Sequence, residues 1–242
     1  MDLYRELLNN PSFLAFLPDI SGKEVIDLGC GEGRNTRLFA DRGARMTGLD
    51  LSPEMIAAAR AEEEREPRGI SYHVGSYTNI TLFPPDRFDG AISTMALMDS
   101  PDFEAAAGQA FRVLKPGGFL AFSVLHPCFV TPNVHWIRGE DGSEESLAVS
   151  RYFDQAHEIE RWRFSKDAIA KRYPEFEVPR FPRTMSIYVN GLTAAGFVLK
   201  RIEEPRPSEA LAAEHAWLAP WRRHAAIFLY FHARKPADGD TR

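Results

Sequence analysis

The stretch "VIDLGCGEGRNT", residues 25–36, carries three glycines at alternate positions behind a short apolar run. The apolar residues around Asp27 predict a buried strand, and residues 34–42 predict a helix. The turn between them holds Gly29, Gly31 and Gly33. Glycine there permits positive φ and lets a ligand approach the backbone. A tight turn without a ligand is the alternative, but such a turn seldom requires three alternating glycines. The pattern favours a nucleotide-binding loop.

Composition limits the classes of protein that fit. The 242 residues, 44% hydrophobic and 26% charged, suit one globular domain with room for an inserted segment. A net charge of -5 without a Lys/Arg run disfavours a nucleic-acid partner. Cys30 and Cys128 are too few for a disulfide framework or a zinc site, so no metal is expected. The sequence shows no membrane-length apolar stretch and no signal-peptide pattern, and we expect a cytoplasmic protein without membrane contacts.

Strand and helix patterns alternate from Lys23 to about residue 125, which predicts an α/β fold with a doubly wound, mostly parallel sheet and helices on both faces. From residue 127 to 182 prolines, aromatics and charges mix without alternation. We interpret this segment as an inserted cap, with "GEDGSEES" as its tip. The predicted organisation is an N-terminal helical arm (1–22), a ligand-binding core (23–126), the cap (127–182) and a C-terminal helix with strands that complete the sheet (183–242).

Two carboxylates frame the glycine loop. Asp27 stands two residues before the first glycine, and Asp50 ends the second predicted strand. Adjacent parallel strands end at the same edge, so Asp50 should face the ligand crevice, where a carboxylate can accept from both ribose hydroxyls. Ser52 is the expected N-cap of the next helix, with Pro53 at its first position. That assignment leaves Asp50 available for a ligand.

The pattern D-x-G-x-G-x-G differs from the G-x-G-x-x-G of dinucleotide oxidoreductases. Asp27 and Glu32 would repel a pyrophosphate but would favour a cationic sulfonium ligand that carries an amino group. The residues therefore favour S-adenosylmethionine over NAD.

The segment "VIDLGCGEGRNTRLFADRGARMTGLDLSPEMIAAAR" resembles the first two motifs of the class I S-adenosylmethionine-dependent methyltransferases, in the small-molecule branch related to the ubiquinone/menaquinone C-methyltransferases. "FDGAISTMALMDSPDFEAAAGQAFRVLKPGGFLAFSVLHPCF" and "RTMSIYVNGLTAAGFVLKRIEEP" resemble later parts of the same family. The resemblance covers most of the chain apart from the cap tip and the last residues. It implies a seven-stranded Rossmann-like sheet and S-adenosylhomocysteine as product, but it does not identify the acceptor.

The resemblance also implies where the cofactor contacts fall. The methionine end would lie along Asp27 and the three glycines, above Cys30. Asp50 would bind the ribose, and Leu51 and Met55 would flank the adenine. After the third strand, where the family usually has an aspartate, this chain has Gly75, Ser76 and Tyr77. Ser76 and Tyr77 are the expected adenine neighbours. Backbone contacts are expected from Thr94, Met95 and Ala96, while Tyr4 and Arg34 could reach the cofactor carboxylate or lie on the surface.

Candidate acceptor residues follow the fifth strand. His126 is the predicted general base, and the alternative is a histidine hydrogen-bonded to the cap backbone. Tyr152 is predicted to line an aromatic acceptor pocket, although cap aromatics more often form a core. Arg183 and Tyr188 favour an acceptor with an anionic group, with a surface role for Arg183 left open. Asp99 is expected to cap the helix near "PDFEAAA".

The predicted function is methyl transfer from S-adenosylmethionine to an oxygen, nitrogen or carbon atom of a small molecule. Two alternatives remain at this stage: a non-catalytic S-adenosylmethionine-binding protein on the same fold, and an NAD-type oxidoreductase. The sequence does not predict the oligomeric state. It favours a small-molecule acceptor over RNA or protein because the chain is acidic and its cap suits the closure of a pocket.

Overall fold

The chain begins with a helical arm that leads into the sheet. The computed structural model describes residues 2–162, 176–237 and 239. The arm consists of α1 (Asp2–Tyr4), a π-helical turn (Arg5–Asn9) and α2 (Asn10–Phe16). The first α/β part follows as β1 (Glu24–Leu28), α3 (Arg34–Ala40), β2 (Arg45–Asp50), α4 (Pro53–Arg65), β3 (Ser71–Val74), β4 (Phe88–Thr94), a 3-10 turn (Leu97–Asp99), α5 (Phe103–Val113) and β5 (Leu114–Leu125).

The main sheet has seven strands in the order β10-β11-β5-β4-β1-β2-β3, where β10 is Val198–Glu203 and β11 is Phe228–Arg234. β11 runs antiparallel to both of its neighbours, and the pairs from β5 to β3 are parallel. This confirms the predicted seven-stranded, mostly parallel, Rossmann-like sheet. The strand order reverses between β1 and β4, and in such sheets the ligand crevice opens at that point, beyond the carboxyl ends of the strands.

The segment predicted as a cap contains two antiparallel strand pairs that the sequence pattern did not reveal. β6 (Asn133–Arg138) pairs with β7 (Glu144–Ser150), and β8 (Glu158–Trp162) pairs with β9 (Phe176–Arg180). "GEDGSEES" forms the turn of the first hairpin, where the Gly139 amide donates to the Ser143 carbonyl at 2.9 Å. Residues 163–175 of the predicted cap lie outside the described residues. The four predicted domain boundaries stay predictions.

The C-terminal part contains more helix than predicted. α6 (Met185–Ala194) and the strands β10 and β11 occupy the expected positions. The connection between these strands, for which the sequence pattern predicted no helix, contains α7 (Glu209–Glu214), a 3-10 turn (Ala216–Leu218) and α8 (Ala219–His224). Ser208 caps α7 by accepting from the Leu211 amide at 3.1 Å. This start signal is short, and the prolines around it obscure it.

Different elements pack on the two faces of the sheet at β5 and β11: α6 on one face and the N-terminal arm on the other. On one face Phe122 and Phe231 stack with ring centroids 4.7 Å apart, and Tyr188 of α6 packs against both. On the other face Tyr230 packs edge-on against Phe13 of the arm, with centroids 5.2 Å apart. These rings are buried. They fix the arm and α6 on opposite sides of β5 and β11. No helix in the described part of the chain is both long and apolar enough to cross a membrane.

Candidate active site

The three loop glycines serve two different purposes. All have positive φ, at +76° for Gly29, +56° for Gly31 and +78° for Gly33. A Cβ at Gly29 would lie 2.3 Å from the Ala96 Cβ, and one at Gly33 would lie 2.3 Å from the Tyr72 hydroxyl. A Cβ at Gly31 would meet nothing within 4 Å. Gly29 and Gly33 are therefore required by packing inside the protein, and Gly31 is the glycine whose backbone borders open space.

Asp50 holds the open part of this loop. Its Oδ2 accepts from the Gly31 amide at 2.8 Å, and its Oδ1 accepts from the Ser52 amide at 2.9 Å. Ser52 caps α4, as predicted, by accepting from the Met55 amide at 3.2 Å. Each carboxylate oxygen keeps a further lone-pair position, because an ionised carboxylate offers about four acceptor sites. The side chain can therefore hold the loop and still accept from a ligand hydroxyl.

Asp27 lies beneath the loop rather than on its open side. The carboxyl group is buried, and its Oδ2 accepts from the Thr36 hydroxyl at 2.6 Å. Burial raises the pKa of Asp27 to about 7, which the Thr36 hydrogen bond opposes and the nearby charge of Asp50 reinforces. Cys30 is buried in the same layer, and burial raises the pKa of its thiol. The predicted contact of Asp27 with the methionine end of the cofactor stays a prediction.

The predicted adenine neighbours differ in whether they are available to a ligand. Leu51 is 70% exposed at the edge of the crevice, and Met55 beside it is half-buried, so an apolar surface is present there. The Ser76 hydroxyl accepts from the Thr78 amide at 3.2 Å and lies 2.7 Å from the Thr78 hydroxyl. Ser76 is thus engaged in its own turn, and the structure lends no support to the predicted adenine hydrogen bond.

Tyr77 connects the segments that follow β3 and β4. Its buried hydroxyl donates to the Ala96 carbonyl at 3.0 Å, and burial raises the pKa of this phenol. Met95, at the end of β4, has a φ of 59°, an uncommon conformation for a non-glycine residue. The Met95 amide donates to the Ser123 carbonyl at 3.0 Å, which holds the backbone in this conformation. Such strain is typical of functional sites, so the end of β4 is a candidate ligand contact, as predicted for Thr94 and Met95.

Together these features fit an adenosyl ligand with a sulfonium centre. The open side of Gly31 lets a ligand reach the backbone, and the Asp50 carboxylate can accept from its ribose. Leu51 offers an apolar surface to its base. The carboxylate of Asp50 favours a cation near the loop.

His126 does not have the free ring nitrogen that a general base requires. The side chain is 2% exposed. Its Nδ1 accepts from the Cys128 amide at 3.2 Å, and Nε2, which then carries the proton, lies 2.7 Å from Glu204 Oε1. Burial lowers the pKa of the imidazole, although Glu204 acts in the opposite direction. The role of His126 as the base stays a prediction, and these two hydrogen bonds favour the alternative of a histidine hydrogen-bonded to the cap backbone.

The three predicted acceptor residues do meet in one place. A cavity of about 20 Å³ lies between the end of β5, the cap and the start of α6. That volume holds about one water molecule. Its lining comprises Met98, Leu125, Pro127, Val130, Thr131, Pro132, Tyr152, Arg180, Phe181, Pro182, Arg183 and Tyr188. Sequence reasoning missed Arg180, which follows an alternating stretch too short to recognise as a strand.

Arg183 and Tyr152 also hold the cap in place. The Arg183 guanidinium, in a residue 9% exposed, donates to the carbonyls of Met98 at 3.3 Å and Phe181 at 3.1 Å, and also to that of Ser100. A surface role for Arg183 is thereby excluded. The Tyr152 hydroxyl accepts from the Met185 amide at 2.8 Å, at the beginning of α6.

The prediction of Asp99 as a helix cap is wrong, whereas the roles of Tyr4 and Arg34 stay predictions. Asp102 rather than Asp99 caps α5, accepting from the Ala105 amide at 2.8 Å, because the 3-10 turn absorbs Asp99. Arg34 pairs with Glu6 of the arm at 2.6 Å, and Tyr4 packs on Trp217 with centroids 4.4 Å apart. The arm thus lies over the beginning of α3, a contact that sequence spacing alone did not indicate.

Comparison with known proteins agrees with this geometry. A family model for the methyltransferase domain matches residues 26–122. A solved S-adenosylmethionine-dependent methyltransferase from Mesorhizobium loti is 30% identical, with 93% of this chain and 96% of that chain covered and a TM-score of 0.75. A ubiquinone biosynthesis O-methyltransferase of Idiomarina loihiensis is 33% identical over 48% of this chain and 50% of its own length. A malonyl-[acyl-carrier protein] O-methyltransferase of Pectobacterium atrosepticum is 35% identical over 46% and 42%.

The fold and the site define a Rossmann-like enzyme that binds an adenosyl cofactor. The chain belongs to the class I S-adenosylmethionine-dependent methyltransferases, since the likeness to the Mesorhizobium loti enzyme extends over nearly the whole of both chains. S-adenosylmethionine is its cofactor, and the predicted oxidoreductase alternative is excluded. The chain spans about half the length of the two O-methyltransferases, so their acceptors do not transfer to it directly.

Proposed function

We propose that this enzyme methylates a small molecule that binds between the cap and the carboxyl ends of β4 and β5. S-adenosylmethionine supplies a methyl group already activated by a positive sulfur. The protein then needs chiefly to align the acceptor and to exclude water. A cover of the size of the cap suits both tasks for a small acceptor.

One observation carries this proposal: the segment from Met95 to Ser100 borders both the glycine loop and the cavity. Ala96 packs against Gly29, at the position where a Cβ on the glycine would clash. Two residues later, Met98 lines the cavity, and its carbonyl accepts from the Phe181 amide of the cap at 3.1 Å. This segment therefore adjoins both the cofactor loop and the place where a molecule in the enlarged cavity would lie.

The charges around the cavity indicate the chemistry of the acceptor. Among the described residues, its lining includes two guanidinium groups, those of Arg180 and Arg183, and no carboxylate. Met98, Leu125 and Phe181 supply apolar surface. This combination suits a molecule with an apolar body and an anionic or electron-rich oxygen. The substrate-binding roles of Tyr152, Arg183 and Tyr188 are proposed on the same ground.

The engagement of both ring nitrogens of His126 supplies a second criterion for the acceptor. An acceptor that is already ionised at neutral pH, such as a carboxylate or an acidic phenol, needs no proton removed. An oxygen acceptor of that kind agrees with the two relatives named as O-methyltransferases, although each matches over only part of its length. We therefore propose O-methylation of an acidic group as the preferred reaction.

The cap must move for this reaction, because the cavity in its present form admits about one water molecule. The cap's connections to the loop after β4 run through Phe181 and Arg183. Opening there would enlarge the cavity toward solvent, and closing would exclude water once the acceptor is bound.

The test is a screen of aromatic and aliphatic carboxylic acids and acidic phenols, each paired with its methyl ester or ether, with S-adenosylhomocysteine release as the readout. We expect turnover with members of the acidic series and none with their methylated partners. Mass spectrometry of the product should locate the methyl group on oxygen. Turnover confined to amines or to carbon acids would contradict O-methylation, and turnover only with RNA or protein would contradict a small-molecule acceptor.

A further inference from the structure

Three buried polar side chains near the carboxyl ends of β4 and β5 lack hydrogen-bond partners in the described structure. Asn9 and Ser123 are 0% exposed and Thr94 is 8% exposed. Both amide atoms of Asn9 and the hydroxyl oxygens of Thr94 and Ser123 are unpaired. An unpaired buried polar group costs roughly 1–3 kcal/mol. Four such atoms in one region indicate a site for a ligand or for ordered water.

The strand register places these hydroxyl groups side by side on one face of the sheet. Thr94 of β4 pairs with Ser123 of β5, and Ser123 pairs in turn with Tyr230 of β11. Directly paired residues of neighbouring strands project to the same face. The Tyr230 hydroxyl donates to the Asn9 carbonyl at 3.1 Å, so this is the face that the arm covers.

The path of the arm places Asn9 over the same strands. Glu6 pairs with Arg34 at the beginning of α3, directly after the loop that follows β1. Phe13 packs on Tyr230 in β11. Since β5 and β4 lie between β11 and β1 in the sheet, the arm between Glu6 and Phe13 crosses these two strands. Asn9 lies midway, at the end of a π-helical turn, a rare element that often marks functional sites.

This region lies on the side of β4 away from the cofactor loop. The glycine loop and Asp50 follow β1 and β2, whereas Ser123 lies in β5, on the other side of β4. Thr94 directly precedes Met95, the strained residue at the strand end. The unpaired groups therefore lie near the strand ends on the β5 side of the cofactor loop, on the face of the sheet that the arm covers.

The mixture of donors and acceptors limits what can satisfy these groups. Asn9 offers an unpaired donor and an unpaired acceptor, and a hydroxyl can serve as either. A carboxylate would satisfy only the donors, and an ammonium only the acceptors. A hydroxyl group both donates and accepts, and it carries no charge.

We propose that Asn9, Thr94 and Ser123 form a binding site for a hydroxyl group of the methyl acceptor. The inference rests on the proposed function and narrows it to acceptors that carry a hydroxyl group in addition to any anionic group. The arm then acts as one wall of the acceptor site, and the cap forms the wall on the other side of the strand ends.

The test compares phenol with anisole, which keeps the oxygen but cannot donate. Dissociation constants are measured by ligand-observed NMR on the full-length protein saturated with S-adenosylhomocysteine. The variants are Asn9→Leu and Ser123→Ala, with Asn190→Leu as the matched control on the exposed side of α6. Replacing a buried polar side chain that has no hydrogen-bond partner by an apolar one removes its desolvation penalty, so each site variant should melt at or above the wild-type temperature.

We expect phenol to bind wild type and Asn190→Leu about tenfold more tightly than anisole, as one well-formed hydrogen bond implies. In Asn9→Leu and Ser123→Ala this preference should disappear, while S-adenosylhomocysteine affinity stays at the wild-type value. Equal binding of phenol and anisole by wild type would overturn the inference, as would a preference that persists in both variants. A crystal structure with phenol that shows only ordered water between the three side chains would do the same. Loss of S-adenosylhomocysteine binding by either variant would place the groups in the cofactor site and overturn the inference, leaving the proposed methyl transfer intact.

Discussion

The backbone amide of Gly31 donates to the carboxylate of Asp50 at 2.8 Å, so the ligand-facing glycine and the proposed ribose acceptor form one unit. The two residues are 19 positions apart and come from the ends of adjacent strands, β1 and β2. The same carboxylate orders the loop and can accept a hydrogen bond from a ligand. A substitution at Asp50 should therefore weaken cofactor binding in two ways, through the loop and through the lost ligand contact.

Asp50→Ala should weaken S-adenosylhomocysteine binding by tenfold to more than a hundredfold. Each lost hydrogen bond to a charged group is worth roughly 1.5–3 kcal/mol, and the Gly31 amide also loses its partner. Titration calorimetry measures the change. Ser52→Ala is the control, because it removes the helix cap at a cost of about 1 kcal/mol in stability and should leave affinity within about twofold. Equal affinities for wild type and Asp50→Ala would mean that the ribose binds elsewhere.

Gly31→Ala and Gly29→Ala should separate ligand contact from internal packing. At Gly31 an added methyl group meets no protein atom, so the variant should lose only about 1–2 kcal/mol to its positive φ while cofactor binding falls sharply. At Gly29 the methyl group would collide with the Ala96 Cβ, so this variant should unfold at much lower urea concentration. Adding Ala96→Gly should restore part of the stability of Gly29→Ala and none of that of Gly31→Ala. If Gly31→Ala binds the cofactor with wild-type affinity, Gly31 serves only to form the turn.

Asp27→Asn should stabilise the protein at pH 8 more than at pH 4. The unfolded carboxyl ionises near 3.8, whereas the folded one keeps its proton up to about pH 7. The folded state therefore binds more protons between these values, and the wild-type free energy of unfolding falls as pH rises through this window. A neutral amide avoids this loss, which is on the order of a few kcal/mol above pH 7. Urea unfolding at both pH values measures it, with exposed Asp19→Asn as control. An advantage that does not change with pH would contradict the raised pKa.

The strand-helix alternation was enough to predict the main sheet, because buried parallel strands are continuous apolar runs between recognisable helix signals. The cap gave no such pattern. Its strands β6 and β7 are only partly buried, so polar and aromatic residues mix on both faces. Neither strand has a fully buried face that would require a hydrophobic residue at every second position. The sequence of the hairpin therefore shows no alternation of hydrophobic and polar residues.

The sequence could predict those site residues whose positions follow from the ends of the parallel strands. Asp50 and Gly31 lie where neighbouring parallel strands end together, and that geometry follows from the fold class. His126 lies at such an end as well, but its partner Glu204 is 78 positions away, so the sequence could not show that the ring is already engaged. Asn9 was missed for the same reason, since only the tertiary path of the arm brings it to β4 and β5.

His126→Asn should lower stability while leaving catalysis intact. Asparagine can still accept from the Cys128 amide but loses Glu204, at an expected cost of about 1–2 kcal/mol at pH 7.5. Because burial lowers the pKa of His126 below its ordinary 6.5, the unfolded state binds more protons in mild acid. The stabilisation is therefore present above pH 6.5 and is lost as pH falls below it, so the variant and wild type should converge toward pH 5. With an acceptor found by the screen, kcat of His126→Asn should stay within a few-fold of the wild-type value. A decrease of two orders of magnitude would show that His126 is the base.

Replacing the β6–β7 hairpin should lower acceptor turnover and spare cofactor binding. Asn133 and Ser150 are paired at the base of the hairpin, with the Asn133 amide nitrogen 2.8 Å from the Ser150 hydroxyl, so a four-residue Gly/Ser linker can join the flanking residues. The hairpin is held from outside by Trp136, which packs edge-on against Trp221 at 5.1 Å. The proposed cofactor contacts all precede residue 100, so S-adenosylhomocysteine affinity should stay near the wild-type value. Without this cover, water enters the site and the acceptor is held less firmly in its reactive position. We therefore expect kcat/KM to fall by at least about tenfold.

The matched control for the hairpin replacement shortens only its turn, with residues 140–142 replaced by a single glycine, and keeps Trp136 and the strand pairing. This variant should retain both cofactor affinity and turnover, because the turn is exposed and makes its hydrogen bonds within the hairpin itself. If the full replacement turns over the acceptor at the wild-type rate, the hairpin is not part of the cover, and the proposed role of the cap would rest on β8, β9 and Arg183 alone. If both variants lose turnover equally, the turn itself contacts the acceptor. The comparison of the two variants therefore locates the covering surface along the hairpin.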